Sequence, residues 1–246
     1  MRFEGKCVVI LGGNAGIGLA AAKMFAAEGA KLALTGRNKE TLAAAAEALG
    51  ALGIVSDMGD VSQTKAALAE IEHALGGIDV LFVNAGVGGF AAVPDVTEAF
   101  WDGIHNVNLR GAFFAIQHAL PLLRDGGSIV ITGSIGSTLA VPGNVAYAAA
   151  KAGLRAMARI VGKELLPRQI RVNMVSPGPT ETEIFKRGTS EAEIEATRTL
   201  LGSVVPIGRM GTAEEIARAV LFLASTEASF INGVDLYVDG GCVELG

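Results

Sequence analysis

The chain has 246 residues, of which 50% are hydrophobic and 18% charged; this is ample material for a buried core and excludes intrinsic disorder. Lys plus Arg number 20 and Asp plus Glu 25, a net charge of −5, and with a pI near 5.3 this argues against a basic nucleic-acid-binding surface. Mean hydropathy is high at +0.45, yet Gly, Lys or Asp breaks every apolar run short of the ~18 residues a bilayer span needs.

Met1 leads through Arg2-Phe3-Glu4 straight into a strand-like run, so no signal peptide is expected. Cys7 and Cys242 have no CxxC partner, which fits a reduced, cytoplasmic protein. Short apolar runs rich in Val and Ile follow along the chain: Cys7–Leu11, Leu32–Leu34, Ile54–Val55, Val80–Val83, Ile129–Ile131, Val172–Val175 and Val234–Val238. Such runs suit strands buried on both faces. Ala-rich segments of helical periodicity separate them, at Leu19–Ala27, Lys39–Leu49, Gln63–Leu75, Tyr147–Leu166 and Ala213–Leu223. Asn38 and Ser62 are expected N-caps, and Gly29, Gly50 and Gly76 stand where helices should stop. This βα repeat runs end to end without a linker and implies one domain with a parallel sheet and right-handed crossovers. The longest interruption, Pro177–Ser203, is expected to be a substrate lid.

The first strand runs into Leu11-Gly12-Gly13-Asn14-Ala15-Gly16-Ile17-Gly18, where a helix begins. Glycines at this turn let a phosphate approach bare backbone N–H groups, and the helix start adds partial positive charge. The spacing is G-x3-G-x-G, and a ligand-free tight turn is the plain alternative. The second strand ends in Thr35-Gly36-Arg37-Asn38. No carboxylate is placed to bind a ribose 2′-hydroxyl, and Arg37 can pair with a 2′-phosphate, which favours NADP(H) over NAD(H). The alternative is a solvated Arg37 at a helix start. After the third strand, Asp57, followed by Met58, is suited to accept from an adenine amino group and equally suited to cap its own loop. Asn84-Ala85-Gly86 ends the fourth strand; Ala85 and Gly86 let backbone pass close to a cofactor, and Asn84 is weighted toward tying neighbouring strands together.

Tyr147 and Lys151 are four apart on a helix, hence on one face. A phenol needs its pKa of about 10 lowered by roughly three units to exchange protons near neutrality, and an adjacent ammonium supplies part of that. Alone, Y-x3-K is a common surface pair. Its company is Ser134, which follows the strand Ser128–Thr132 and so falls at a strand C-terminal end, where open α/β sheets bind ligands. His73, His105 and His118 read as ordinary helix residues, and no metal-ligand cluster is present.

From Lys6 to Gly241 the chain resembles the short-chain dehydrogenases/reductases in their compact single-domain branch. The resemblance is carried by Gly12-x3-Gly16-Ile17-Gly18, Asn84-Ala85-Gly86, Val107-Asn108-Leu109, Ser134, Tyr147-x3-Lys151, Pro177-Gly178 and Val238-Asp239-Gly240-Gly241. It departs at Leu11, where the family generally has Thr. The resemblance implies an α/β, doubly wound, seven-stranded parallel sheet with helices on both faces, in a homotetramer or dimer. It implies catalysis by Asn108, Ser134, Tyr147 and Lys151: Tyr147 as general acid, Ser134 on the reacting oxygen, Lys151 on Tyr147 and the nicotinamide ribose. Asn108 would hold a relay water, with a local bond to backbone as the alternative. The cofactor-binding set adds Gly12, Asn14, Gly16, Ile17, Gly18, Arg37, Asp57, Met58, Asn84, Ala85 and Gly86, then Pro177, Gly178 and Thr180 beside the nicotinamide and pyrophosphate.

The implied activity is hydride transfer between NADP(H) and a ketone/alcohol pair. A catalytically silent cofactor-binding sensor or scaffold, and a lyase of the halohydrin dehalogenase type, are the alternatives. Ile135, Leu139, Val141, Asn144 and Val145 around the expected pocket favour a small or medium carbonyl compound over a charged one. Ile184, Phe185, Leu200 and Leu201 would cover it from the lid, or else pack under a loop.

Overall fold

The computed structural model describes residues 1–182 and 190–246. Seven strands form one all-parallel sheet: β1 (Cys7–Leu11), β2 (Lys31–Gly36), β3 (Leu52–Val55), β4 (Ile78–Val83), β5 (Leu123–Thr132), β6 (Arg171–Pro177) and, near the C-terminus, β9 (Asp235–Val238). Their order is β3-β2-β1-β4-β5-β6-β9. The chain winds outward from β1 in one direction and from β4 in the other, so a crevice opens where the carboxyl ends of those two strands diverge.

Side chains alternate across the sheet. Val9 and Leu11 point into one core with Leu81, Val83, Ile129 and Ile131, while Val8 and Ile10 point into the other with Val80, Phe82 and Val130. The first core is closed by α3 (Val61–Leu75), α5 (Ala112–Ala119) and α6 (Val145–Glu164), the second by α1 (Gly16–Ala27), α2 (Lys39–Leu49) and α8 (Ala213–Ala224). Two covered faces explain why the strands read as unbroken apolar runs. Phe25 and Phe82 are wholly buried, and truncating either to Ala would cost about 3–5 kcal/mol. Among the described residues no helix is long and apolar enough to cross a membrane.

Several boundaries differ from the sequence expectation, each for a local reason. Helix α1 starts at Gly16, three residues before Leu19, because the glycine loop itself enters helical geometry. The N-cap of α3 is Asp60, not Ser62: Asp60 is extended and its carboxylate accepts from the backbone of Ser62 and Gln63, which places Ser62 inside the first turn. Strand β5 begins at Leu123, because a register shift against β4 between Ile78 and Val80 lets pairing resume upstream.

The long interruption after β6 is also partly structured. A short strand β7 (Thr180–Glu181) pairs in parallel with β8 (Gly211–Thr212), and α7 (Glu191–Ser203) opens with a reciprocal cap between Ser190 and Glu193. Leu200 is exposed and Leu201 half-buried; Ile184 and Phe185 lie outside the described residues.

Between α4 (Glu98–His105) and α5 the backbone takes a π turn over Asn106–Gly111, a feature with no signature in the sequence. A Cβ on Gly111 would fall 2.1 Å from the Met58 carbonyl oxygen. Glycine therefore lets this turn press directly on the loop after β3.

Candidate active site

The glycine loop sits at the end of β1, inside the crevice. Gly12 and Gly13 donate to the Thr35 carbonyl, which holds the loop against β2. The first turn of α1 is uncapped: Ala15 offers no side-chain oxygen, and the Gly16, Ile17 and Gly18 N–H groups have no partner among the described residues. Gly18 is demanded by packing, since a Cβ there would lie 2.0 Å from the Gly12 carbonyl oxygen. Asn84 fixes the loop from the β4 side. Its amide donates to the Gly12 carbonyl at 2.9 Å, and its own oxygen accepts from the Thr132 hydroxyl at 3.0 Å. These bonds tie β1, β4 and β5 together beside Leu11, whose side chain is buried in the core.

Bare N–H groups at a helix start, and loop glycines packed too closely for a side chain, fit a dinucleotide's pyrophosphate. A cavity of about 310 Å³ between α1, α7 and α8 borders Gly16. Pro177, Gly178 and Thr180 lie at the carboxyl end of β6, and the Thr180 hydroxyl donates to the Gly178 carbonyl at 2.8 Å.

Around the adenosine end, Asn14 reaches the Thr41 hydroxyl at 2.8 Å and leans on Gly36. Arg37 is largely exposed and lies 3.8 Å from the Asp57 carboxylate. The other Asp57 oxygen accepts from the Gly59 N–H at 2.8 Å, which is the loop-capping arrangement. Met58 buries its side chain in the core, and its carbonyl lies against Gly111 of the π turn.

The second half of the site forms at the ends of β4 and β5 and the start of α6. Lys151 is buried and donates from Nζ to the Thr132 carbonyl at 2.8 Å. Burial pushes its ammonium down to about 8. The amine lies 5.7 Å from the centre of the Tyr147 ring, over its face. The Tyr147 phenol is pushed up by burial, with the neighbouring Ser134 hydroxyl acting in the opposite direction. The expected lowering of Tyr147 by Lys151 is thus not what this geometry contains, because the amine faces the ring and is engaged by a carbonyl. Ser134 Oγ also accepts from the Gly136 N–H at 3.0 Å, which fixes its rotamer.

Asn108 is enclosed, and its side chain is committed to backbone. Nδ2 donates to the Val87 and Ile104 carbonyls at 2.7 and 2.9 Å, and Oδ1 accepts from the Val87 N–H at 3.3 Å. Ile104 is four residues back, so the amide replaces the helical bond that the π turn removes. This is the local-bonding alternative. A relay water would find only the remaining lone pair of Oδ1, which borders Gly86: a Cβ on Gly86 would be 2.9 Å from Oδ1 and 3.7 Å from Lys151 Nζ.

Sequence reasoning missed Thr132. It supplies the carbonyl under Lys151 and the hydroxyl on Asn84, and nothing marks it except that it precedes Gly133-Ser134.

Residues 12–243 match the family model described as enoyl-(acyl carrier protein) reductase. The chain belongs to the short-chain dehydrogenase/reductase family. It is 39% identical over 250 residues to the 3-oxoacyl-(acyl-carrier-protein) reductase of Thermotoga maritima, covering 99% of this chain and 100% of that one. It is 38% identical over 255 residues to the 2-(S)-hydroxypropyl-CoM dehydrogenase 3 of Xanthobacter autotrophicus, covering 99% of both. A short-chain dehydrogenase from Burkholderia cenocepacia, solved in complex with NADP, superimposes with a TM-score of 0.87 at 36% identity, over 98% of this chain and 99% of that one. This short-chain dehydrogenase/reductase is therefore a member of a family of oxidoreductases that bind a nicotinamide cofactor and act on small molecules, and its doubly wound sheet is the family's own.

Proposed function

We propose that this chain is an NADP(H)-dependent oxidoreductase interconverting a ketone and a secondary alcohol, with Tyr147 as general acid in reduction and general base in oxidation. The observation that carries the reading is the meeting of the Ser134 hydroxyl, the Tyr147 phenol and the buried Lys151 amine beside the crevice where the glycine loop opens. A bound nicotinamide supplies or accepts the hydride. Ser134 donates to the reacting oxygen and fixes its position, and Tyr147 delivers the proton that oxygen needs as negative charge grows on it. Lys151 is held by the Thr132 carbonyl over the face of the Tyr147 ring, where its amine is placed to meet the nicotinamide ribose. Asn108 and Asn84 act as positioning residues, one bracing the loop after β4 and the other the glycine loop.

Arg37 supports the preference for NADP(H). Its pairing with Asp57 is long and exposed, an interaction worth about 0–1 kcal/mol. A 2′-phosphate would form stronger charge-assisted, bidentate bonds and displace it. The apolar surfaces of Trp101, Phe113 and Ile160 on the outer helices support assembly into a homo-oligomer. Both relatives act on substrates carrying an oxygen function at carbon, as their names state, and this supports the reaction class.

The test is ketone reduction with NADPH and with NADH by the wild type and Tyr147→Phe. We expect NADPH to be preferred and the variant to lose about 10³-fold or more in kcat while NADPH still binds, as followed by its fluorescence. Retention of most of kcat would overturn the role of Tyr147.

A further inference from the structure

Asn144 occupies the N-cap position of α6, where an Asn side chain ordinarily accepts from the first turn of its helix. Here it makes no such bond, and among the described residues its amide has no hydrogen-bond partner. The residue is only 8% exposed. It is not among the fully enclosed unpaired groups, which are Thr64 Oγ1 and Asp235 Oδ2, so its amide keeps an opening to solvent. An amide with no protein partner and an opening to solvent is free to exchange water for a ligand oxygen.

The amide faces the reacting groups. A Cβ built on Gly136 would lie 3.0 Å from Asn144 Nδ2, 3.2 Å from Ser134 Oγ and 3.6 Å from the Tyr147 ring edge. All three border one patch of backbone. Apart from Lys151, the two described stretches that border them carry no charge: there is no Asp, Glu, Lys or Arg from Gly126 to Ala150, nor from Asn84 to Pro94. Those two stretches meet where the Ala91 N–H donates to the Gly143 carbonyl at 2.9 Å. Phe90, Val93, Val141 and Val145 are exposed along them. A charged substrate group would find no opposite charge on these walls, whereas an uncharged oxygen would find one amide.

We propose that Asn144 is a specificity-determining residue that binds a second, uncharged oxygen on the carbon next to the reacting carbonyl. The substrate class is then an apolar, uncharged ketone bearing a vicinal hydroxyl or carbonyl. This rests on the oxidoreductase reading above. In the reduction, hydride from the reduced nicotinamide forms the new C–H bond, the carbonyl π pair moves to oxygen, and that oxygen takes the Tyr147 proton. The second oxygen is unchanged and only anchors the substrate through Asn144. Two oxygens on neighbouring carbons are close enough for one to meet Ser134 and the other Asn144.

The test compares cyclohexanone with 2-hydroxycyclohexanone, each with NADPH, in the wild type, Asn144→Leu and Asn144→Gln. In the wild type kcat/KM should favour the hydroxy ketone by about 10-fold or more, the scale of one hydrogen bond in a nearly dry site. In Asn144→Leu that ratio should collapse toward one, and Asn144→Gln, which keeps the amide, should retain part of it. A wild-type ratio near one, or a ratio that survives Asn144→Leu, overturns the assignment while leaving the oxidoreductase intact. Turnover of neither ketone with either nicotinamide cofactor overturns both. Thermal midpoints and NADPH fluorescence report folding, and if the Leu variant does not fold, Asn144→Ser replaces it under the same criteria.

Discussion

Helix starts in this protein are of two kinds. α2, α3, α4, α7 and α8 each begin with a side-chain oxygen that accepts from their own first turn, supplied by Asn38, Asp60, Thr97, Ser190 and Thr212. α1 and α6 do not: Ala15 has no oxygen to offer, and Asn144 has one but does not use it on its helix; α5 also lacks a side-chain cap, but it continues straight out of the π turn and has no free start of its own. The capped starts satisfy the donors that every helix exposes, each for about 0.5–2 kcal/mol. The two uncapped starts border the crevice, one beside the glycine loop and the other beside Ser134 and Tyr147. The molecule forgoes local stability at the two free helix starts that border the crevice and takes it at the other five, the pattern expected when a ligand completes those groups.

Three substitutions bear on that contrast. The largest effect is expected at Lys151, in the second turn of uncapped α6. Its folded pKa of about 8 lies below the ordinary 10.5. Below pH 8 the amine is charged in both folded and unfolded chains, so the full burial cost weighs on the fold. Between pH 8 and 10.5 the folded chain has released this proton and the unfolded chain has not, so stability rises with pH. The cost relieved across that window is about 3 kcal/mol. Lys151→Met should remove this rise, read as the difference between urea melts of the two proteins across the window, and should also abolish turnover. An identical pH dependence in both would show that Lys151 does not carry the burial cost.

A smaller effect is expected from capping α1. Ala15 is extended, as an N-cap should be. Ala15→Asp should stabilise the free protein by about 0.5–1 kcal/mol and weaken NADPH binding by roughly 10- to 100-fold, because the new carboxylate occupies the N–H groups and repels phosphate. Unchanged NADPH affinity would mean that the bare helix start is not a phosphate site. The smallest effect is expected from uncapping a capped helix. Thr212→Ala, at the start of α8, should cost about 1 kcal/mol, or ~2–4 °C in Tm, with NADPH affinity untouched. A large loss of affinity there would erase the distinction between the two kinds of start.

Much of this arrangement was legible because it is local. The glycine spacing, Tyr147 and Lys151 one turn apart, and Ser134 just past a strand all follow from chain geometry over a few residues. Other features depend on contacts from far along the chain. Lys151 and Tyr147 share a helix face as their spacing requires, yet the amine is drawn to the Thr132 carbonyl, nineteen residues upstream. Asn108 is bound to Val87, twenty-one residues away, across a π turn that no periodicity marks. Asp60 displaced Ser62 as a cap because two good capping residues stood within three positions, and backbone geometry chose between them.

By itself the sequence determined the alternation of strands and helices, the all-parallel class of the sheet and its place in the oxidoreductase family. Burial of an apolar run on both sides, and the 3.6-residue period of its neighbours, demand that layering whatever the details. Only the tertiary structure decided how the polar groups of the crevice are shared. It committed Asn108 to backbone and Asn84 to the Gly12 carbonyl and the Thr132 hydroxyl, sank Lys151 into the interior and left the Asn144 amide without a partner among the described residues. Which polar group meets which depends on the packing of whole layers against each other, and no window of neighbouring residues contains that information.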